Sequence, residues 1–339
     1  MFIMKRIKLW GVVLFSMVAY LAVSCAVEVD EKTEDIQERI FNAFIRTNGW
    51  ENAERLGDST YIVERSGTGT GTNPSDSMYG FVRYTAQYTT GDYAAYNYDS
   101  IAKQLGTYEE SSIYEPFVWP IRTGDVSDPL CDILKNMKPG EKTLSVVAPW
   151  TNTTNSTYAF TSTSAPIVYS IELLKVVPDI QEYEYEQLQQ FSNKYFEGMD
   201  SLSQGFYFKK IHASEYADTI ADGNAIRVKY VGRLLNGRVF DTNIEDTAKK
   251  YDLYNPMEEY NSMSVIYNVD PETIEKEEDL VLGFCKALTS GGMTYGDKCF
   301  VFFVSDLGYG GNGNLENGSG IPPYCPISFE VWIEEYEKA

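Results

Sequence analysis

Three stretches of the chain decide its fold: AIRVKYVGRLLNGRVFDTN at 225–243, DLVLGFCKALTSGGMTYGDKCFVFFVSDLGYGG at 279–311 and GSGIPPYCPISFEVW at 318–332. The first and third contain the alternating or continuous apolar runs of strands. The middle stretch begins with a helical pattern that a glycine turn near Gly296 closes, and an apolar strand follows. Strands around one amphipathic helix predict an α+β fold, in which an antiparallel sheet wraps over a short helix.

The same order of elements occurs earlier in the chain. Helical spacing of apolar residues starts both copies, at 36–50 and at 185–199. A short strand follows each helix, and Tyr84 and Tyr230 keep the offset of those strands. Self-similarity of this kind indicates a tandem duplication.

The duplication and the N-terminal segment together predict four regions. They are a signal peptide at 1–24, an acidic tether at 25–35, a first copy at 36–178 and a second copy at 179–339. The second copy is the longer one, and its insertions fall chiefly between Asp241 and Leu280.

The N-terminal segment has the features of a secretory signal. Lys5, Arg6 and Lys8 precede an apolar run at 9–23 that is too short to span a membrane well. Small residues then lead into Cys25, which resembles the lipobox where bacterial lipoprotein processing acylates the cysteine; a plain secretory signal is the alternative. We expect a lipid anchor at Cys25 and a place in the cell envelope, at the outer membrane, on its periplasmic or its outer face.

The charge of the chain excludes one class of partner. Asp and Glu number 49 against 28 Lys and Arg, which gives a formal net charge of -21. Nucleic-acid affinity depends mostly on Lys and Arg that neutralise phosphates. We therefore expect no nucleic-acid partner.

Five short motifs occur in an order that resembles the FKBP-type peptidyl-prolyl cis/trans isomerases. They are Tyr-Val-Gly at 230–232, Gly-Arg-Val-Phe-Asp at 237–241, Leu-Val-Leu-Gly at 280–283, Tyr-Gly at 309–310 and Ile-Pro-Pro at 321–323. Each motif alone is weak, but their joint order is specific. The resemblance implies two FKBP-like domains, prolyl isomerase activity in the second, and proline-containing polypeptides as partners.

The resemblance also implies a site. Its catalytic residues would be Tyr230, Asp241 and Tyr309: Asp241 would act as an orienter that accepts from the Tyr230 hydroxyl, and Tyr309 would donate to the substrate carbonyl. Substrate-binding residues would be Phe240, Val281, Phe284, Ile321 and Phe329. Phe284 stands where the family usually has Trp, which keeps the floor aromatic but smaller.

The implied chemistry needs no cofactor. Rotation of an X-Pro amide crosses a barrier of about 18–20 kcal/mol at which the C–N resonance is lost. A dry pocket that strips water from the amide lowers this barrier without a nucleophile or a metal. The alternative is a noncatalytic lipoprotein in which both copies are binding scaffolds, and the Phe at 284 and the insertion favour it.

The first copy keeps the layout and loses the motifs. Tyr84 remains, and Tyr98, Asp99 and Ser100 are the expected replacement for Phe-Asp-Thr. After Pro149 the Tyr-Gly loop is replaced by WTNTTNSTYAF, and Ile-Pro-Pro is reduced to Ala165 and Pro166. We interpret this copy as a degenerate module that binds, spaces or stabilises.

Four cysteines lie beyond the N-terminal segment, at Cys131, Cys285, Cys299 and Cys325, without zinc-like spacing. Helical and strand patterns around Cys285 and Cys299 favour buried free thiols. A disulfide between Cys285 and Cys325 is the alternative that an exported protein permits.

Overall fold

The structure is a computed structural model that describes residues 32–110, 112–122, 126–151, 158–197, 201–215, 219–315 and 320–335. The expected signal peptide, Cys25 and most of the tether lie outside the described residues. The described chain forms two antiparallel sheets, each with its own helices and core. The predicted α+β class is therefore confirmed.

The first unit is built on a seven-stranded sheet. Its strands are β1 (Glu54–Leu56), β2 (Thr60–Gly67), β3 (Met78–Tyr88), β4 (Tyr93–Tyr96), β5 (Phe117–Ile121), β6 (Glu141–Val147) and β7 (Ile167–Val177). Its helices are α1 (Thr33–Thr47), α2 (Asp99–Leu105) and α3 (Asp128–Lys135). The strand order is β1-β2-β6-β7-β3-β4, and β5 also pairs with β3.

The second unit is built on a six-stranded sheet. Its strands are β8 (Phe206–His212), β9 (Ala225–Leu234), β10 (Val239–Thr242), β11 (Met263–Ile266), β12 (Lys298–Phe303) and β13 (Ile327–Ile333). Its helices are α4 (Ile180–Tyr195), α5 (Glu245–Lys250), α6 (Pro271–Glu278) and α7 (Leu282–Thr289). The strand order is β8-β12-β13-β9-β10, and β11 also pairs with β9.

The two sheets have the same topology once β1 is set aside, which confirms the predicted internal repeat. One side-chain bridge makes the equivalence specific. Asn97 accepts from the Tyr84 N–H at 2.8 Å and donates to the Val82 carbonyl at 3.0 Å. Asn243 accepts from the Tyr230 N–H and donates to the Val228 carbonyl, both at 2.9 Å.

This register corrects the expected replacement for Phe-Asp-Thr in the first copy. Ala95 pairs with Ala86 in the first sheet as Asp241 pairs with Gly232 in the second. The positions of Phe240 and Asp241 are thus taken by Ala94 and Ala95. Tyr98 and Asp99 come later, at the start of α2, because the ladder and not the composition sets the equivalence.

The insertion that lengthens the second copy is also confined to a shorter segment than the predicted range between Asp241 and Leu280. The segment between β10 and β11 is as long as the one between β4 and β5. The added length lies between β11 and α7, where α6 occupies Pro271–Glu278. Asp270 begins α6 by accepting from the Glu272 N–H at 3.2 Å, with Pro271 at the first helical position.

Each unit is preceded by a helix that packs on its sheet. Phe41 and Ile45 of α1 are buried against Val146 and Val168. In the second unit, Leu188 of α4 is buried against Phe302 and Val304. Helix α1 begins at Thr33, so the last residues assigned to the tether are helical.

The two units meet in an apolar contact that we call the interdomain cluster. It consists of Val118, Val177, Ile180, Tyr79, Phe81, Tyr183 and Tyr324. Tyr324 belongs to the second unit, and its ring centroid lies 5.2 Å from that of Tyr79 and 6.4 Å from that of Tyr158. Its φ of 54° is in the left-handed region that non-glycine residues seldom adopt, so surrounding contacts hold it there.

The cysteines of the described residues are free thiols. Cys131, Cys285 and Cys299 are buried, as expected, and Cys325 is half-buried. The alternative, a Cys285–Cys325 bridge, is not formed. Among the helices of the described part of the chain, none is both long and apolar enough to cross a membrane.

Candidate functional site

All eight site residues expected from the sequence lie at one end of the second sheet. Tyr230 is on β9, Phe240 and Asp241 are on β10, and Phe329 is on β13. The remaining four are Val281 and Phe284 at the start of α7, Tyr309 after β12 and Ile321 before β13. Three strands, one helix and the connection between β12 and β13 thus contribute side chains to one site.

The floor of the site is a group of aromatic rings around Phe329. Its ring centroid lies 5.2 Å from Phe284, 5.6 Å from Phe240 and 6.1 Å from Tyr230, and all three contacts are edge-to-face. This geometry brings the positive edge of one ring to the negative face of the next. We call Phe240, Phe284, Phe329 and Ile321 the aromatic floor.

Close packing of the aromatic floor depends on a glycine in β9. A Cβ atom on Gly232 would stand 2.7 Å from the Phe240 ring and 2.9 Å from the Phe329 ring. Contacts that short force neighbouring groups to shift. The glycine of the Tyr-Val-Gly motif therefore leaves room for the two phenylalanines.

Burial divides the site into a floor and a mouth. Phe240, Phe284 and Phe329 are 3%, 4% and 4% exposed. Tyr230, Val281 and Tyr309 are only partly buried, and Asp241 is exposed at the rim. A ligand that reaches the floor must pass the two tyrosines and the carboxylate.

Tyr230 and Asp241 form the polar pair at the mouth. The Tyr230 hydroxyl donates to Asp241 Oδ2 at 2.8 Å. Burial, followed by the charge of Asp241, raises the pKa of Tyr230 far above its ordinary value, so the hydroxyl stays protonated. Desolvation by the surrounding protein atoms raises the pKa of Asp241 even though the residue keeps contact with solvent at the rim, while the hydrogen bonds from Tyr230 and from the Thr242 N–H oppose that rise. The pair fixes the direction of the carboxylate.

Tyr309 lies in a turn that is hydrogen-bonded on both sides. Burial and then the Asp241 charge raise the pKa of its hydroxyl, and a hydrogen bond with the Asn314 side chain opposes the rise. Gly310 N–H donates to the Ser305 carbonyl at 2.8 Å. The Tyr324 N–H donates to the Gly310 carbonyl at 2.9 Å, so the Tyr-Gly turn is joined to the segment after Ile-Pro-Pro.

Sequence reasoning missed three groups near the site. Glu258 comes from the segment between α5 and β11, and its charge contributes to the raised pKa values of Tyr230 and Asp241. Glu184 of α4 accepts two hydrogen bonds from Ser305, close to the Tyr309 turn. The third is Asn243. The sequence could have indicated it, because Asn97 and Asn243 are separated by the same number of positions as Tyr84 and Tyr230.

In the first unit, the corresponding space is filled. Trp119 on β5 is fully buried, and its ring centroid lies 5.0 Å from that of Tyr84. The register gives Val265 as its counterpart in the second unit. In the described part of the first unit, Ala95 thus replaces the carboxylate of the polar pair, and the indole of Trp119 stands where the second unit has the smaller Val265.

Two further features of the described residues lie apart from the aromatic floor or concern metal binding. Groups of three or more His, Cys, Asp or Glu side chains suited to a metal ion are absent from this part of the chain. A broad cavity of about 920 Å³ lies at the far end of the second sheet and is lined by polar groups that include His212, Arg227 and Glu334. It shares no lining residue with the aromatic floor.

Comparison with known proteins agrees with this geometry. Residues 217–334 match the family model described as FKBP-type peptidyl-prolyl cis-trans isomerase. The macrophage infectivity potentiator of Trypanosoma cruzi is 29% identical over 130 residues, which is 38% of this chain and 52% of that protein. The chain thus spans about half the length of this curated relative.

Solved structures of similar proteins were also found. The three FKBP domains of wheat FKBP73 match with 18% identity and a TM-score of 0.30, over 83% of this chain and 94% of that one. A peptidyl-prolyl cis-trans isomerase from Pseudomonas syringae pv. tomato matches with 20% identity and a TM-score of 0.31, over 45% of this chain and 93% of that one.

An antiparallel sheet packed on α7, with an aromatic floor and a tyrosine–aspartate pair at its mouth, is the arrangement of an FKBP-type domain. The ordered motifs of the second unit and the match of residues 217–334 agree with that class. The second unit belongs to the FKBP-type peptidyl-prolyl cis-trans isomerase family.

Proposed function

We propose that the chain is a peptidyl-prolyl cis/trans isomerase that assists the folding of exported proteins and is held to the envelope by a lipid on Cys25. The observation that supports catalysis best is the Tyr230–Asp241 hydrogen bond of 2.8 Å at the mouth of the aromatic floor. Its partners in catalysis would be proline-containing polypeptides.

The proposed mechanism uses desolvation and orientation. The proline ring would rest on Phe284 and Phe329, where burial strips water from the amide. The planar amide is more polar than the twisted one, so loss of water costs the planar form more. The Tyr309 hydroxyl would donate to the rotated carbonyl, and Asp241, fixed by Tyr230, would supply an oriented negative dipole.

A prolyl-peptide isomerisation assay on the full chain tests the proposal. We expect acceleration that a macrolide ligand of FKBP-type pockets suppresses. Asp241→Ala and Tyr309→Ala should each lower kcat/KM by about tenfold or more, because the first removes the charged partner of Tyr230 and the second removes the donor to the rotated carbonyl. Unchanged rates in both variants would refute the site assignment, and a folded but inactive chain would refute the enzyme.

A noncatalytic binding role has support of its own. Phe240, Phe284 and Phe329 are almost fully buried before any ligand is bound, so a proline ring needs the mouth of the site to open. A chain of this kind would bind prolyl peptides without accelerating their isomerisation. Titration calorimetry with the assay peptide separates the two roles, because only the scaffold gives binding without turnover.

The anchor is supported by the sequence features around Cys25. Incorporation of labelled palmitate in a bacterial host tests it, with the membrane and soluble fractions compared. Cys25→Ala should abolish both labelling and membrane retention, while the matched control Cys325→Ala keeps them. Labelling that persists in Cys25→Ala would contradict the anchor.

A further inference from the structure

Glu184 is a buried carboxyl group that the proposed mechanism does not use. It lies on α4, outside the residues that match the family model, and its side chain is 2% exposed. Its Oε2 accepts from the Ser305 N–H at 2.7 Å, and its Oε1 accepts from the Ser305 hydroxyl at 2.7 Å. Both carboxylate oxygens are therefore engaged by one residue, 121 positions away along the chain.

Packing alone does not account for this residue. The same face of α4 buries Ile180 and Leu188 against apolar neighbours. A leucine at 184 would avoid the desolvation of a carboxyl group, which is costly unless hydrogen bonds compensate it. The carboxyl of Glu184 is instead matched to two donors of Ser305.

Ser305 connects this carboxyl to the Tyr309 turn. Its own carbonyl accepts from the N–H groups of Gly308 and Gly310, both at 2.8 Å. These two residues flank Tyr309. A rigid Ser305 therefore fixes the backbone on either side of the tyrosine that would donate to the substrate.

Helix α4 is itself fixed beside the turn. Asp179 caps the helix by accepting from the Gln181 N–H at 2.9 Å and the Glu182 N–H at 3.2 Å. The Gln181 side chain donates to Asp306 Oδ2 at 2.7 Å. Two neighbouring residues of the short turn, Ser305 and Asp306, are thus held by one turn of α4.

We infer that Glu184 is a positioning residue for the Tyr309 turn, so that the helix between the two units forms part of the catalytic domain. The effect on turnover rests on the proposed isomerase function, whereas the effect on the order of the turn does not. Glu184 acts through Ser305 and does not touch the substrate.

The test compares Glu184→Ala with Glu184→Gln and with Glu186→Ala in the full chain. Glu186 is an exposed residue of the same helix, so its variant is the matched control. Glutamine can still accept from the Ser305 N–H and can donate to its hydroxyl. We expect Glu184→Ala to lower kcat/KM by about tenfold and to speed amide exchange at Gly308 and Gly310, while the other two variants resemble the wild type.

Coupling to Tyr309 separates positioning from general destabilisation. In the wild-type background, Tyr309→Phe should lower kcat, and in Glu184→Ala the same change should cost much less, because the hydroxyl is already misplaced. Equal losses in both backgrounds would overturn the inference. Wild-type exchange rates at Gly308 and Gly310 in Glu184→Ala would overturn it as well.

The design remains decisive if either assumption fails. Should the wild-type chain lack isomerase activity, the proposed function falls, and amide exchange still decides whether Glu184 orders the turn. Should Glu184→Ala not fold, Ser305→Ala removes one of the two hydrogen bonds with little change in packing. Faster exchange at Gly308 and Gly310 in that variant supports the inference, and unchanged exchange overturns it.

Discussion

The hydroxyl of Tyr230 and its counterpart in the first unit have opposite surroundings. Tyr230 donates to a carboxylate at the mouth of the site. Tyr84 is 4% exposed, and burial raises its pKa to about 12, while a hydrogen bond to the Phe160 carbonyl opposes the rise. The same residue type at equivalent positions is thus a polar contact in one unit and part of the core in the other.

This contrast gives a matched pair of substitutions. Tyr230→Phe should lower kcat/KM by about tenfold, because Asp241 loses its charge-assisted hydrogen bond. Tyr84→Phe should leave kcat/KM unchanged and cost about 1 kcal/mol of stability. The prolyl-peptide assay and urea unfolding check the two effects, and equal losses of turnover in both variants would contradict the assignment.

Glu184 makes stability depend on pH. Burial raises its pKa from 4.5 to about 7; the hydrogen bonds from Ser305 oppose this rise, and the Asp306 charge adds to it. The Cys325 thiol also faces this carboxyl. The pKa of Glu184 is higher in the folded chain than in the unfolded chain, so protonated Glu184 favours the folded state. This contribution to stability is fully present below pH 4.5 and is lost as the pH rises through about 7.

Glu184→Gln removes this dependence, because glutamine does not titrate and keeps both hydrogen bonds. Relative to the wild type, its free energy of unfolding should increase by about 2 kcal/mol between pH 5.5 and pH 8. Urea unfolding at several pH values measures the difference, with Glu186→Gln as the control. A difference that stays constant with pH would disprove the titration of Glu184.

At the scale of the elements, an asparagine side chain in each unit joins the segment after β4 or β10 to the neighbouring strand, β3 or β9. Asn243 satisfies the Tyr230 N–H and the Val228 carbonyl, where the ladder with β10 does not reach. The strand that holds Tyr230 therefore depends on a side chain from the next segment of the chain.

Asn243→Ala should cost about 2 kcal/mol of stability, since it leaves a backbone donor and acceptor without partners. It should also lower kcat/KM, because β9 positions Tyr230. Asn97→Ala removes the equivalent two hydrogen bonds in the first unit, together with one to the Glu115 carbonyl at 3.1 Å, and should lower stability while turnover is kept. Thermal unfolding and the peptide assay distinguish the two variants, and loss of turnover in Asn97→Ala would argue against a site confined to the second unit.

Local patterns were sufficient for some elements and not for others. Tyr230 and Asp241 could be predicted because both lie in short motifs on neighbouring strands. Glu184 could not, since Glu182, Glu184 and Glu186 are alike in sequence until the rotation of α4 against the sheet is known. Tyr98 and Asp99 were placed wrongly because an aromatic–acid pair resembles the motif, whereas the ladder register puts Ala94 and Ala95 there.

At the scale of the whole molecule, Tyr324 joins the two units. Its ring packs on Tyr79 of the first unit, while its N–H holds the Gly310 carbonyl of the Tyr309 turn. The predicted degenerate copy therefore contacts the segment that follows Ile321. How the copies face each other could not be predicted, because no sequence pattern encodes which surfaces meet.

Tyr79→Ala should weaken the contact between the units. Loss of one aromatic pair and its burial predicts a loss of about 2–3 kcal/mol at the interdomain cluster. Calorimetry should then resolve two unfolding transitions where the wild type has one. Tyr93→Ala is the control, because it removes a similar ring pair with Tyr96 inside the first unit, and it should keep a single transition. A single transition in Tyr79→Ala as well would contradict a stabilising role of the interdomain cluster.

The position of Tyr324 has a thermodynamic consequence that works in both directions. If a peptide bound at the proposed site orders the segment at 321–323, it also favours the backbone conformation in which Tyr324 meets the first unit. Linkage then requires that the first unit, by the same factor, increase the affinity of the second for that peptide. The first unit would in this way contribute to the peptide affinity of the second.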